Sequence, residues 1–185
     1  MSGSPVNLDA ETEGVEAVIA LGSNLGDRRA LIRQGIADID GLIAVSVVAA
    51  SSLFVSVAVK PDGVDPDAPG YLNACVIVHT TLTPHDLLAA VNAIEDDHGR
   101  VRVERWGDRT LDIDIITFGT AVVNDERLTL PHPEAWQRDF VLAPWLEIDT
   151  AAVLPGRGSV RELLAQTAGE ARPEDAIPGP GGAAA

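Results

Sequence analysis

The stretch Leu42-Ile-Ala-Val-Ser-Val-Val-Ala-Ala-Ser-Ser-Leu-Phe-Val-Ser-Val-Ala-Val59 decides the fold class. It carries no charge across residues 42–59, and its length matches the lower limit for a membrane-spanning helix. Four serines interrupt it, however, and valine dominates it. Valine's branched β-carbon suits a pleated, half-buried surface. The odd positions Ile43, Val45, Val47, Leu53, Val55, Val57 and Val59 form a mostly apolar face with a strand's period of two. The segment therefore reads as one long half-buried strand over residues 43–57.

The rest of the chain arranges itself around that strand. Upstream, Val15 to Leu21 reads as a first strand. Gly22-Ser-Asn-Leu-Gly26 then turns into a helix that Asp27 can cap, with Leu31, Ile32, Ile36 and Ile39 as its apolar stripe and Gly41 as its stop. Downstream, a loop rich in proline and aspartate, Lys60 to Gly70, leads to a third strand at Leu72–Thr80. Thr83-Pro84 starts a second helix, since proline in the first turn gives up an N–H that has no partner there. Leu87, Val91 and Ile94 are its buried stripe, and Gly99 ends it. A fourth strand runs from Leu111 to Phe118. The order β-α-β-β-α-β predicts an α+β, ferredoxin-like fold: an antiparallel sheet with helices on one face. A short strand pair (121–123 with 128–130), a helical turn after Pro133 and a short helix near 160–167 follow. Residues 15–169 form the single domain expected here. Residues 1–14 and 170–185 read as flexible tails, the second ending Pro178-Gly-Pro-Gly-Gly-Ala-Ala-Ala.

Composition narrows the function. The chain has 185 residues, 46% of them apolar, enough for one sizeable core. Its net charge of −15 disfavours general binding to nucleic acid or an anionic membrane. The lone cysteine, Cys75, has no internal disulfide partner and reads as structural. Pro5, Asp9, Glu11 and Glu13 make the start polar, unlike a secretory leader. A cytoplasmic, monomeric enzyme or small-ligand protein is the expectation. Of the 13 basic residues only Lys60 is lysine, and Arg100, Arg102, Arg105, Arg109, Arg127 and Arg138 lie close together. In an acidic chain, that concentration points to one anionic ligand.

Leu111-Asp-Ile-Asp-Ile115 is the sharpest chemical signal. On a strand, Leu111, Ile113 and Ile115 face one way, and Asp112 and Asp114 stand side by side opposite, about 6.6 Å apart at the backbone. Two such carboxylates repel unless a cation lies between them, and magnesium suits hard oxygen ligands that it shares with phosphates. Alone, the pair reads equally well as two solvated aspartates. Four arginines within residues 100–109 immediately precede it, and guanidinium groups grip phosphate oxygens bidentately. The combination favours a metal–polyphosphate site over surface ion pairing. Trp106 is either a core plug or part of a lid. Tyr71 and Asn73 share a strand face, an aromatic plane beside an amide that suits a flat heterocycle. Arg127, Thr129, His132, Arg138 and Phe140 follow in a cluster. Zinc spacings, a P-loop lysine and G-x-G-x-x-G are all missing from the sequence.

Together these segments resemble the 6-hydroxymethyl-7,8-dihydropterin pyrophosphokinase family across about residues 15–167. The resemblance is carried, in order, by Ala20-Leu-Gly-Ser-Asn-Leu-Gly26, Tyr71-Leu-Asn73, Gly99-Arg-Val-Arg102, Arg105-Trp-Gly-Asp-Arg-Thr-Leu-Asp-Ile-Asp114 and Arg127-Leu-Thr-Leu-Pro-His132, leading to Arg138 and Phe140. It implies transfer of pyrophosphate from ATP to the pterin alcohol, with AMP released, in folate biosynthesis. It further implies two Mg²⁺ on Asp112 and Asp114, with Arg100 and Arg109 as catalytic arginines. Arg100, Arg109, Arg127, His132 and Arg138 would bind ATP, joined by Asn92, Glu95, Thr129, and Arg102 and Trp106 on a closing loop. Tyr71, Asn73, Phe140 and Ser56 would hold the pterin. Ser56 stands where the family often has threonine, and Asp108 where it usually has proline. The loop Val55-Ser-Val-Ala-Val-Lys-Pro-Asp-Gly63 also departs from the family pattern. A non-catalytic ligand-sensing module on the same scaffold is the alternative, and it would leave ATP intact. A kinase moving only the γ-phosphoryl group would instead give ADP.

Overall fold

The structure, a computed structural model, describes residues 14–56, 59–60, 63–64, 70–99, 110–167 and 169–174. Strand β1 (Val15–Ser23) leads into helix α1 (Arg28–Asp40). Asp27 caps that helix as expected, its carboxylate accepting from Ala30 N at 3.0 Å. Strands β2 (Val45–Ala50) and β3 (Phe54–Ser56) follow, then the two-residue pair β4 (Val59–Lys60) and β5 (Gly63–Val64). Strand β6 (Tyr71–Thr80) precedes α2 (Pro84–Asp97), which Thr83 caps by accepting from Asp86 N. Strand β7 (Asp112–Phe118) is followed by the hairpin of β8 (Val123–Asn124) and β9 (Thr129–Leu130). A 3₁₀ turn (Ala135–Gln137), α3 (Asp139–Ile148), the pair β10 (Val153–Leu154) and β11 (Gly158–Ser159), α4 (Val160–Leu164) and β12 (Arg172–Pro173) complete the described chain.

The main sheet runs β12-β3-β6-β1-β7, with β2 also on β6, and its pairings are antiparallel. The expected long strand over 43–57 is two strands. A register shift lies between Val47 and Ala49, and the backbone leaves the ladder at residues 51–53. There the Ser51 hydroxyl accepts from Cys75 N, and Ser52 donates to Glu147. The serines that interrupt the apolar run thus supply the side-chain hydrogen bonds of the break. Ile43 lies outside both strands and is 93% exposed, because Ala44 takes a left-handed conformation (φ 68°) that closes the turn after α1.

Helices cover both faces of the sheet, not one. On the first face Ala17, Ile19, Leu21, Ala74, Val76 and Ile113 pack against Ile32 and Ile39 of α1 and Leu87, Val91 and Ile94 of α2. On the second, Val18, Cys75, Ile77 and Ile116 lie beneath Val141, Leu142 and Trp145 of α3 and Val160 and Leu163 of α4. Pro144 makes α3 hard to read in sequence, since a proline inside a helix costs about 3 kcal/mol. Burying Val141, Leu142 and Trp145 contributes about 1.5–3 kcal/mol for each such side chain, which outweighs that loss. Cys75 belongs to this second core, with its Sγ donating to Val141 O and burial pushing its thiol pKa well up. It is structural. Among the described residues no helix is long and apolar enough to cross a membrane.

Residues 170–174, expected within a tail, include one short strand. Arg172 and Pro173 still pair with Val55 and Phe54, because the unfilled edge of β3 offers backbone partners to whatever chain passes it.

Candidate active site

The site lies on the second face, at the end that the first turn of α3 borders. Alternation along β7 buries Leu111, Ile113 and Ile115 and leaves Asp112 and Asp114 half-buried on the other side, as their spacing predicts. Gly22 pairs with Asp112 on one side and with Asn73 on the other. One row across three strands therefore reads Asp112–Gly22–Asn73, and the next reads Asp114–Ala20–Cys75. Two strand spacings put Asn73 about 10 Å from Asp112 at the backbone. A Cβ added at Gly22 would lie 3.4 Å from Asn73 Oδ1, so the bare glycine leaves the space between the two side chains clear.

Asn73 is 5% exposed and Ser56 6%. The Asn73 amide donates to Ser56 Oγ at 2.9 Å and more weakly to Phe54 O at 3.4 Å, which orients it. Tyr71 pairs with Ser56 at the start of β6 and is partly exposed. Arg28 donates to Gly70 O and so anchors the chain just before Tyr71.

The other wall comes from residues 132–140. His132 N donates to Ile116 O at 2.9 Å, which seats His132 against β7. Its Nδ1 accepts from Glu134 N, which leaves Nε2 facing Asp114 Oδ2 at 3.9 Å. Burial holds the His132 imidazole below its ordinary pKa; the Asp114 carboxylate opposes that shift and the Arg138 guanidinium adds to it. Arg138 Nη1 lies 3.5 Å from Asp114 Oδ2, while Nη2 pairs with Glu134, and the guanidinium sits 5.7 Å above the Phe140 ring. The Asp114 side chain is still 40% exposed. Among the described residues no three His, Cys, Asp or Glu side chains form a metal cage. The pair of aspartates fits a hard ion that completes its shell with water and ligand oxygens.

The remaining expected residues divide three ways. Arg127 and Thr129 are exposed on the β8–β9 hairpin, and Asn92 is half-buried on α2. Asp125 shapes that hairpin, accepting from Arg127 N and Leu128 N, and His85 ties it to the start of α2 at 2.9 Å. Arg100, Arg102, Trp106 and Arg109 lie outside the described residues. Glu95 lies between α2 and β7. It is fully buried, and its Oε1 accepts from Ile113 N at 2.8 Å, so it supports the strand between the two aspartates. Sequence reasoning assigned no role to Ser23. Its hydroxyl donates to Thr110 O at 2.5 Å and ties the end of β1 to the residues leading into Asp112. Its place beside Gly22 in the Gly-Ser-Asn turn was the available signal.

Comparison with known proteins adds a family. The sequence model of a family described as 7,8-dihydro-6-hydroxymethylpterin-pyrophosphokinase (HPPK) matches residues 18–150. The 2-amino-4-hydroxy-6-hydroxymethyldihydropteridine pyrophosphokinase of Haemophilus influenzae is 39% identical over 154 residues, covering 83% of this chain and 94% of that protein. The Bacillus subtilis protein of the same name is 42% identical over 132 residues, covering 71% and 77%. A crystal structure of wild-type Plasmodium falciparum HPPK-DHPS with pterin and p-hydroxybenzoate shares the fold at a TM-score of 0.62 and 15% identity. That match covers 85% of this chain and 42% of the longer one.

Proposed function

The chain belongs to the 7,8-dihydro-6-hydroxymethylpterin-pyrophosphokinase family, and on that premise we propose that it transfers pyrophosphate from ATP to 6-hydroxymethyl-7,8-dihydropterin in folate biosynthesis. The alcohol oxygen attacks the β-phosphorus of ATP, and the bond from that phosphorus to the oxygen bridging it to the α-phosphate breaks. AMP leaves, the alcohol loses its proton, and the pterin diphosphate is the second product. The observation that carries this reading is the Asp112–Gly22–Asn73 row. It puts a cation-binding carboxylate and a buried, oriented amide on one open floor, a molecule's width apart.

Each side of that floor has its own work. Asp112 and Asp114 would hold two Mg²⁺, which would supply neutralisation of the triphosphate charge. His132 and Arg138, already directed at Asp114, receive phosphate oxygens. Arg127, Thr129 and Asn92 bind ATP, as do Arg100, Arg102, Trp106 and Arg109, with Arg100 and Arg109 as the catalytic arginines. Tyr71 and Phe140 sandwich the pterin while Asn73, fixed by Ser56, reads its edge. Positioning and charge stabilisation carry the catalysis, without a dedicated side-chain base. The strand order supports the ferredoxin-like arrangement: counting β2 and β3 as one, the fourth strand lies beside the first, then the third, then the second. The net charge of −15 supports a monomer with no general nucleic-acid or membrane partner.

The test is to incubate the protein with ATP, Mg²⁺ and the pterin alcohol and identify the nucleotide released. AMP is expected. ADP would mean γ-phosphoryl transfer, and intact ATP would favour a sensing module.

A further inference from the structure

Residues 170–174 read as tail by composition, yet the segment 169–174 is held at both ends. Gly169 turns the chain with a positive φ of 68°. Glu170 N and Ala171 N then both donate to Asp139 Oδ2, at 2.7 and 3.0 Å. Arg172 and Pro173 pair with Val55 and Phe54, and Glu174 N donates to Leu53 O at 2.8 Å. Glu174 Oε1 also meets Arg29 Nη2 at 2.8 Å.

Both anchors adjoin the pterin side of the site. Asp139 immediately precedes Phe140. Phe54 and Val55 immediately precede Ser56, the acceptor that orients Asn73. Strand β3 has only three residues and pairs with β6 along one side. So short an edge strand opens locally at little cost. Strand β12 closes its free side and makes it an interior strand. Resting on the function proposed above, we infer that residues 169–174 are a positioning strap. It joins the Ser56–Asn73 wall to the Phe140 wall and sets the width of the slot that receives the flat ring. A slot held at its working width spares the ligand the ordering of its own walls, which is affinity gained by preorganisation.

The test uses full-length variants and calorimetric titration with the pterin alcohol and with a non-hydrolysable ATP analogue. Asp139→Ala removes the acceptor of two backbone N–H groups, whereas Asp139→Asn keeps a carbonyl oxygen there. Glu174→Pro removes the N–H that reaches Leu53 together with the carboxylate that meets Arg29. The double variant Asp139→Ala/Glu174→Pro should raise the pterin dissociation constant about tenfold and leave analogue affinity unchanged. Asp139→Asn should keep the wild-type pterin affinity. An unchanged pterin constant in the double variant overturns the strap. So does an equal loss of both ligands with a lowered Tm, which marks a merely structural role. Should the double variant not fold, Asp139→Ala alone is held to the same two outcomes. A wild-type protein that binds no pterin refutes the functional reading itself, whereas binding that survives in the variant refutes only the strap.

Discussion

Replacing Glu95 with alanine tests whether a buried acid supports the strand that carries the two aspartates. Glu95 is 0% exposed, and its carboxylate accepts from the backbone N–H of Ile113, the residue between Asp112 and Asp114. Among the described residues strand β7 ends the sheet and pairs with β1 alone, so none of their strands can accept that N–H in place of Glu95. A hydrogen bond to a charged partner is worth about 1.5–3 kcal/mol, and leaving a buried donor unmet costs a similar amount. Losing the buried side-chain methylene adds about 0.8 kcal/mol, partly offset because a carboxylate no longer has to be desolvated. Glu95→Ala should therefore lose about 2–3 kcal/mol, well inside the 5–15 kcal/mol of an ordinary domain, and still fold. Glu95→Gln retains a carbonyl acceptor and should lose about 1 kcal/mol or less. The alanine variant should also lower kcat by about 10–100-fold, since a misplacement near 1 Å at the reacting groups has that scale. Urea unfolding followed by tryptophan fluorescence, with equal m-values required, measures the first effect, and product release measures the second. Stability within about 0.5 kcal/mol of wild type together with unchanged kcat would refute the reasoning.

Asp112→Ala and Asp114→Ala should each fold yet lose pyrophosphoryl transfer by at least about 100-fold; normal turnover of either under saturating Mg²⁺ removes the metal assignment. Tyr71→Ala should raise the pterin dissociation constant with little change in nucleotide binding, and calorimetry with each ligand separates the two. The hydrogen bond from His98, and then that from Gln34, holds the Asp38 carboxyl below its usual range. A lowered folded-state pKa stabilises above the unfolded carboxyl's value, about 3.9, and that contribution fades as pH falls through the lower folded one. The Tm margin of wild type over Asp38→Asn should thus be full near pH 5 and shrink below about pH 4; a margin that grows on acidification contradicts the assignment.

Much of the site was legible because it follows from period and identity alone. The alternation in Leu111-Asp-Ile-Asp-Ile115 survives folding, with the hydrophobic residues buried and the aspartates on the open side. The caps at Asp27 and Thr83 depend only on local backbone geometry and appear where their sequences put them. Other features were hidden because their cause lies elsewhere in the chain. The break at Ser51–Ser52 answers to Cys75 and Glu147, neither of them a neighbour in sequence. Helix α3 carries Pro144 and is sustained by the face of β1, β6 and β7 on which it packs. The hydrogen bond from Ile113 N to Glu95 depends on the packing of α2 against β7, which no local pattern shows.

What the sequence determined by itself was the chemistry available: paired carboxylates on a strand, an arginine-rich run before them, and an aromatic–amide pair on another strand. Each depends on residues within a few positions of one another, so local periodicity suffices to read it. Only the tertiary structure decided that Asp112, Gly22 and Asn73 share one row, that α3 roofs the sheet beside them, and that Arg172 and Pro173 return to pair with β3. Those facts rest on which strand lies beside which. That choice is made by burying two apolar faces at once, and no stretch of this chain read alone contains both.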